Sequence, residues 1–290
     1  MTTILQRISM KFLHCAVILA IAVGTLDTAM IARPSADTSF NVKFGVQGSP
    51  FIEAFGGQST FGFDGFSDFG SSVATGLRFG FDTPESETNN MLTHSNRNGI
   101  YVNWIMDGDT AVSQYTSGIW NFGFVGSESI GYKLSESGNQ SIEFINTKEP
   151  ISWFVMDFPT LGSDSIRNER LTRFDGVRFG ESSGAGIGIR VMPGVTLSGN
   201  VEWAQVYEHH LFWYWTMSSI ISGVADGIGS YFVDAVGRSS PMAKPIVHFI
   251  IRNGIAMGFK ALKRNQMNWP FNTTAPLNIF TIGGSITVVF

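Results

Sequence analysis

The chain alternates before it does anything else. Phe40, Val42, Phe44 and Val46 are separated by Asn41, Lys43, Gly45 and Gln47, and Val73, Thr75, Leu77, Phe79 and Phe81 by Ala74, Gly76, Arg78 and Gly80. Ile187, Ile189 and Val191 alternate in the same way with Gly186, Gly188 and Arg190. Period two with apolar side chains on one face and small or polar ones on the other predicts one-sided β-strands. After the tight Met192-Pro193-Gly194 connection, Val195, Leu197, Gly199, Val201 and Trp203 continue the pattern, so the two segments form a hairpin. Weaker strand patterns lie at 99–106, 118–125, 128–134, 141–146 and 151–157, and a last one runs from Phe280 to Phe290. The expectation is about ten antiparallel strands.

One connection breaks the pattern. Between Tyr207 and Leu277, Trp213, Met217, Ile220, Val224, Ile228, Tyr231 and Ala235 recur at three-and-four spacing, opposite a polar row of Ser222, Asp226, Ser230 and Asp234. That spacing predicts an amphipathic helix. Beyond Pro241 and Pro245 a second helix has Val247, Ile250, Ile251, Gly254, Met257, Ala261 and Leu262 on one side. His248, Arg252, Lys260, Lys263 and Arg264 lie on the other. The pair predicts a helical hairpin over 207–265. Gly223 with Gly227, and Gly254 with Gly258, have the small-xxx-small spacing that permits close helix contact. Asp226 and Asp234 interrupt the first helix and Arg252 the second, so neither reads as a membrane span by itself. The expected places for the hairpin are a cap on the sheet structure, its interior, or a membrane surface.

Composition changes the picture by favouring membrane over water. The chain has 33 glycines and 25 phenylalanines, and only 14 % of its residues are charged. So few charges with so many aromatics suits a lipid-facing surface, and glycine suits a crowded inner face. The net charge of -4 and the absence of a basic stripe exclude a nucleic-acid partner. Arg7 and Lys11 followed by the apolar run Phe12 to Val23 predict a secretory leader over 1–36, with cleavage between Thr25 and Asp37 and the strand domain over 37–290. Cys15, the only cysteine, lies inside that leader, which leaves the mature part without thiol chemistry.

A secreted β-sandwich shows one-sided alternation too. The small-residue face here carries Lys43, Arg78, Arg190 and Glu202, however, which would be costly unpaired in a sandwich core and suit a polar lumen. In the last segment Phe280, Ile282, Gly284, Ile286, Val288 and Phe290 share one face. This ending resembles the terminal strand of bacterial outer-membrane β-barrel proteins, an alternating segment closed by a C-terminal phenylalanine. The resemblance covers about eleven residues. It implies an all-β antiparallel transmembrane barrel with the helical insertion before its last strand, located in the outer membrane and in contact with lipid. It also implies that Phe280, Ile282, Ile286, Val288 and Phe290 form a signal for the barrel-insertion machinery. Counting back from that strand places Met192-Pro193-Gly194 at the periplasmic end and both 160–184 and 207–277 at the outer end. A long 83–98 connection then falls on the periplasmic side.

Chemistry is sparse. For a nucleophile, a base and an orienting group, the best local constellation is Glu208, His209 and His210 at a strand-helix junction. Adjacent histidines diverge on either element, so they predict no metal site and are expected to act as interfacial residues beside Trp213, Tyr214 and Trp215. The segment with Arg167, Glu169, Arg170, Arg173, Asp175 and Arg178 carries guanidinium groups of the kind that hold lipid phosphates, but its mixed signs fit a solvated loop. No phosphate-binding glycine loop, nucleophile elbow or cysteine-histidine spacing is found, so no cofactor is expected. Three functions follow: a structural or partner-binding barrel with the hairpin as partner surface, a narrow channel or small-solute transporter, and an enzyme acting on lipid or polysaccharide. An enzyme is the least supported.

Overall fold

In a computed structural model of the chain, which describes residues 48–62, 71–85, 87, 89–107, 118–135, 139–158 and 165–290, eight antiparallel strands close on themselves. They are β1 (Ser49–Gly62), β2 (Ser71–Glu85), β3 (Leu92–Asp107), β4 (Ile119–Lys133), β5 (Ser141–Met156), β6 (Gly176–Met192), β7 (Val195–Val206) and β8 (Leu277–Val289). Three helices interrupt them: α1 (Ser165–Thr172), α2 (Phe212–Ser239) and α3 (Lys244–Lys263). The order around the wall is sequential, and β1 pairs with β8 from Phe51 opposite Val289 to Gly62 opposite Asn278. Every strand edge is thereby paired, which removes the exposed edges an open sheet would leave.

The number of strands corrects the expected ten. The segments 118–125 and 128–134 are one strand, β4, and 141–146 and 151–157 are one strand, β5. Irregular register at Phe124/Gly126 and Glu149/Ser152 locally interrupts their alternation. The first described strand is Ser49–Gly62; the alternation at Phe40 to Val46, with Lys43, and the leader over 1–36 lie outside the described residues. The long 83–98 connection shrinks to residues 86–91, because β2 and β3 extend into it.

Connections are short at one end and long at the other. Residues 86–91, 134–140 and Pro193-Gly194 turn the chain where β8 ends. Gly194 at φ +75° makes the tightest of these turns, and a side chain there would meet the Val289 carbonyl at 2.5 Å. Residues 63–70, 108–118, 157–175 and 207–276 join strands at the opposite end.

Strand parity sorts the side chains. Val73, Leu77, Phe79 and Phe81 of β2, Ile187 and Ile189 of β6, Leu197 of β7, and Phe280, Ile282 and Ile286 of β8 are exposed on the outside. Arg78, Tyr101, Asn121, Glu149 and Glu202 point inward and are buried or nearly so. At the long-loop end the interior is apolar: Phe55, Ile105, Ile119, Phe154, Leu277 and Ile279 pack together, and Leu171 and Phe174 at the end of α1 join them.

Helices α2 and α3 form an antiparallel hairpin, and its position differs from the expected cap and from the expected place in the interior. It neither caps the barrel nor enters it. It lies lengthwise on the outside of the wall, with α3 against β4, β5, β6 and β7. Its tip reaches the short-turn end, where the Tyr132 hydroxyl donates to the Met242 carbonyl at 2.6 Å and Lys244 Nζ lies 2.7 Å from Glu87. The expected glycine pairs are not the contact, since Gly223, Gly227, Gly254 and Gly258 all face open space. The helices instead meet closely at Gly229, where a methyl group would come within 2.5 Å of Ile255 Cδ1.

Candidate functional site

Three places in the molecule gather polar side chains: the bore, the long-loop end, and the seam beneath the hairpin. In the bore Arg78 stands on β2, whose alternation aims it inward. Its Nη1 donates to Glu53 of β1 at 2.8 Å, and its Nη2 lies 3.0 Å from both Glu149 of β5 and Glu202 of β7. The guanidinium also sits 5.8 Å from the Phe55 ring centre. Glu53 accepts further from Thr287 of β8 at 3.0 Å, and Glu202 from Ser182 of β6 at 2.8 Å. Tyr101 of β3 donates to Asn121 of β4 and to Ser152 of β5 at 2.9 and 2.6 Å. One layer of side chains therefore links all eight strands across the interior. Nearer the short-turn end Arg190 lies 2.7 Å from Glu143, which also faces Arg97 at 3.5 Å. Of the residues expected to face a lumen, Arg78, Arg190 and Glu202 are inward and ion-paired, so the lumen they line is filled. An eight-stranded barrel has room for little else.

At the long-loop end the structure brings only part of the expected triad together. Glu208 is buried just beyond β7, with Oε1 3.1 Å from His209 Nε2 and 3.5 Å from Arg173 Nη1. A cleft of about 120 Å³ beside it is lined by Arg170, Arg173, Phe174, Glu208, Thr274 and Ala275. His210 turns the other way, its ring edge-on to Phe179 at 4.7 Å and tilted against Trp215 at 6.1 Å. Among the described residues no group of three His, Cys, Asp or Glu side chains is placed to hold a metal. The loop guanidiniums are used internally: Arg173 also pairs with Glu169 at 3.0 Å, and Arg178 Nε donates to the Arg173 carbonyl at 3.0 Å.

The aromatic packing pushes the His210 pKa below its ordinary value of 6.5 by desolvating the charged form. A group with a lowered folded pKa binds protons more readily in the unfolded chain. Its packing is therefore undisturbed above 6.5 and is lost progressively as pH falls from there towards the lowered value. His210→Asn is expected to flatten a pH-dependent change in tryptophan fluorescence near Trp215 that the unaltered protein shows below neutrality. An unchanged profile in the variant would remove His210 as its source.

The third gathering was not expected. Along β4 to β7, Glu128, Asn146, Lys148, Glu181 and Gln205 take outward positions, on the face that carries Leu77, Phe79, Ile187 and Ile282 elsewhere on the wall. The hairpin covers each of them. Glu128 Oε2 is 3.1 Å from His248 Nε2 and 3.2 Å from Arg252 Nη2, and its Oε1 is 3.2 Å from His94 of β3. Asp226 of α2 lies 2.6 Å from both Arg252 and Lys148. Asn146 donates to Asn253 at 2.7 Å, and Gln205 to the Lys260 carbonyl at 2.9 Å. Glu181 receives Lys263 at 2.8 Å and Lys260 at 3.2 Å. The polar side of α3, with His248, Arg252, Lys260 and Lys263, is thus its wall-facing side.

No family model matches the sequence, and no curated protein matches it. Among solved structures the chain is similar to Neisserial surface protein A, with a TM-score of 0.37 and 9 % identity over 83 % of this chain and 97 % of that one. It is also similar to Ail, the attachment invasion locus protein of Yersinia pestis, with a TM-score of 0.31 and 9 % identity over 83 % and 99 %. A third is the COG4313 outer membrane channel from Pseudomonas putida F1, with a TM-score of 0.23 and 11 % identity over 56 % and 74 %.

Proposed function

We propose that the protein is a bacterial outer-membrane β-barrel with a structural role and not a conduit for solutes. The observation that carries this reading is the Arg78 brace, in which one buried guanidinium reaches Glu53, Glu149 and Glu202 from three other strands and fills the middle of the bore. The apolar core that Leu171 and Phe174 join at the long-loop end adds a second obstruction. The outer-membrane location is supported by the closed strand order and by an outside lined with Leu77, Phe79, Ile187, Ile282 and Ile286. Short turns at one end and long connections at the other fit the asymmetry of such barrels, with the short turns in the periplasm. On β8 Phe280, Ile282 and Ile286 are exposed outward, Val288 shares their side, and Phe290 beyond the strand is 69 % exposed. That apolar face of β8 is the surface on which the insertion machinery would recognise the chain.

The test joins cell fractionation, a gel comparison of boiled and unboiled protein, and current recording in planar bilayers. Recovery in the outer membrane, a heat-dependent mobility shift and no discrete conductance are the expected results. Conductance steps would replace this reading with the channel. Hydrolysis of outer-membrane lipid or polysaccharide that disappears on changing His209 or His210 would replace it with the enzyme.

A further inference from the structure

The hairpin is built inside out for water. Between Phe212 and Phe232 every exposed residue is apolar or aromatic, including Trp213, Met217, Ile220, Val224 and Ile228. Between Ile246 and Leu262 the exposed residues are Ile246, Ile250, Gly254, Gly258, Ala261 and Leu262. The charges are on the other side: Lys260 and Lys263 are 3 % and 2 % exposed, His248 is 4 % exposed, and each faces a carboxylate of the wall. A hairpin lying in water on a protein surface has the opposite arrangement, its apolar face inward and its charges out.

We propose that the α2–α3 hairpin is embedded in the bilayer beside the barrel, with acyl chains as the occupant of its exposed face. This inference rests on the membrane-barrel reading above and adds to it where the helices lie.

Three further observations select lipid over water or a protein. The stretch from Phe212 to Phe232 covers about 30 Å at about 1.5 Å per residue, which is the thickness of a hydrocarbon core. Aromatic residues mark both ends of it, Trp213 and Tyr214 at one and Tyr231 at the other, as at the two boundaries of a bilayer. The face is also continuous with the barrel's own apolar exterior, because α3 lies directly on the wall and runs along it to the short turns. No helix among the described residues is long and apolar enough to cross a membrane by itself. Neither has to, since the polar side of α3 and Asp226 of α2 are matched by Glu128, Lys148 and Glu181 of the wall. Asp234 and Arg238, which are exposed and unsuited to hydrocarbon, come after the apolar stretch, in the last turns before the tip.

The experiment places a single environment-sensitive label at cysteines introduced as Val224→Cys or Ile228→Cys, in a Cys15→Ser background. Leu77→Cys and Ile100→Cys on the bare wall serve as references. The whole protein is placed in phosphatidylcholine vesicles with brominated acyl chains, and quenching is compared with that by aqueous iodide. Loss of most of the signal at Val224 and Ile228 to brominated lipid, matching the references, is expected, with little effect of iodide. If the references are quenched by lipid but the hairpin labels respond to iodide, or to neither agent, the hairpin lies in water or against protein. The inference then fails while the membrane barrel stands. If the references also escape the lipid, both fail.

Discussion

Replacing Glu181 by Leu is expected to release the hairpin from the wall. The carboxylate sits between Lys260 and Lys263, at 3.2 and 2.8 Å, and neither lysine is more than 3 % exposed. Removing it leaves two neighbouring buried ammonium groups without their carboxylate, and Lys260 then keeps only the backbone carbonyl of residue 181, at 2.9 Å. Breaking a buried ion pair from one side costs on the order of 3–5 kcal/mol, more than the few packing contacts at this end of α3 can offset. Limited proteolysis in the linker before β8 should therefore become at least tenfold faster, since about 1.4 kcal/mol is a factor of ten in the open population. The barrel should still show its heat-dependent mobility, because the eight ladders do not pass through Glu181's side chain. The triple variant Glu181→Leu, Lys260→Leu, Lys263→Leu removes the charges together and should recover most of the protection, as buried ion pairs replaced by apolar groups commonly do. Unchanged proteolysis in the single variant would show that the pair does not hold the hairpin.

The same seam explains what the sequence disclosed and what it hid. Alternation reveals strands where a run of outward positions is mostly apolar, as at Val73 to Phe81 in β2, Ile187 to Val191 in β6, Val195 to Trp203 in β7 and Phe280 to Val288 in β8. It fails in β4 and β5, where Glu128, Asn146 and Lys148 occupy outward positions and make each long strand look like two short ones. Those interruptions are the footprint of the hairpin, and in the sequence they read only as gaps. In β1 the obstacle is different: Phe51 and Phe55 point in while Ile52 and Ala54 point out, so both faces begin apolar and no period shows. The inward placement of Arg78, Arg190 and Glu202 follows from local alternation, but their partners do not. Glu53, 25 residues from Arg78, is its direct cross-strand partner on β1, but Glu149 and Glu202 lie 71 and 124 residues away, and only closure of the barrel brings them to it.

The helices carry a more general lesson about amphipathic patterns. The period of α2 and α3 correctly separates two faces, but a pattern cannot say which face meets water. A charged side reads as solvated by default, and in the sequence alone Asp226 and Arg252 argue against contact with lipid. Once Lys148 and Glu128 are found opposite them, the objection disappears, because a charge matched on the wall is no longer presented to hydrocarbon. Of the Glu208, His209 and His210 constellation, adjacency in sequence proves to be weak evidence of adjacency in space, with His210 turned into an aromatic cluster and Glu208 turned to Arg173.

Arg78→Leu should lower the stability of the barrel itself. The guanidinium is the only cation within salt-bridge distance of Glu149 and Glu202 among the contacts shown by the described residues, and its loss leaves Glu53, Glu149 and Glu202 facing one another in the bore. A penalty of at least about 3–5 kcal/mol follows from uncompensated buried charge. With a urea slope of about 1–3 kcal/mol per molar, the midpoint of the heat-shifted band should fall by more than about 1 M. Arg78→Lys separates charge from shape, since it keeps the cation but cannot fork to carboxylates on three strands. Its midpoint should lie between those of the other two proteins. If the lysine variant matched the original, charge alone would explain the brace. If the leucine variant did, the carboxylates would have to be neutral or hydrated in the folded bore, and the Arg78 layer could no longer be what closes it.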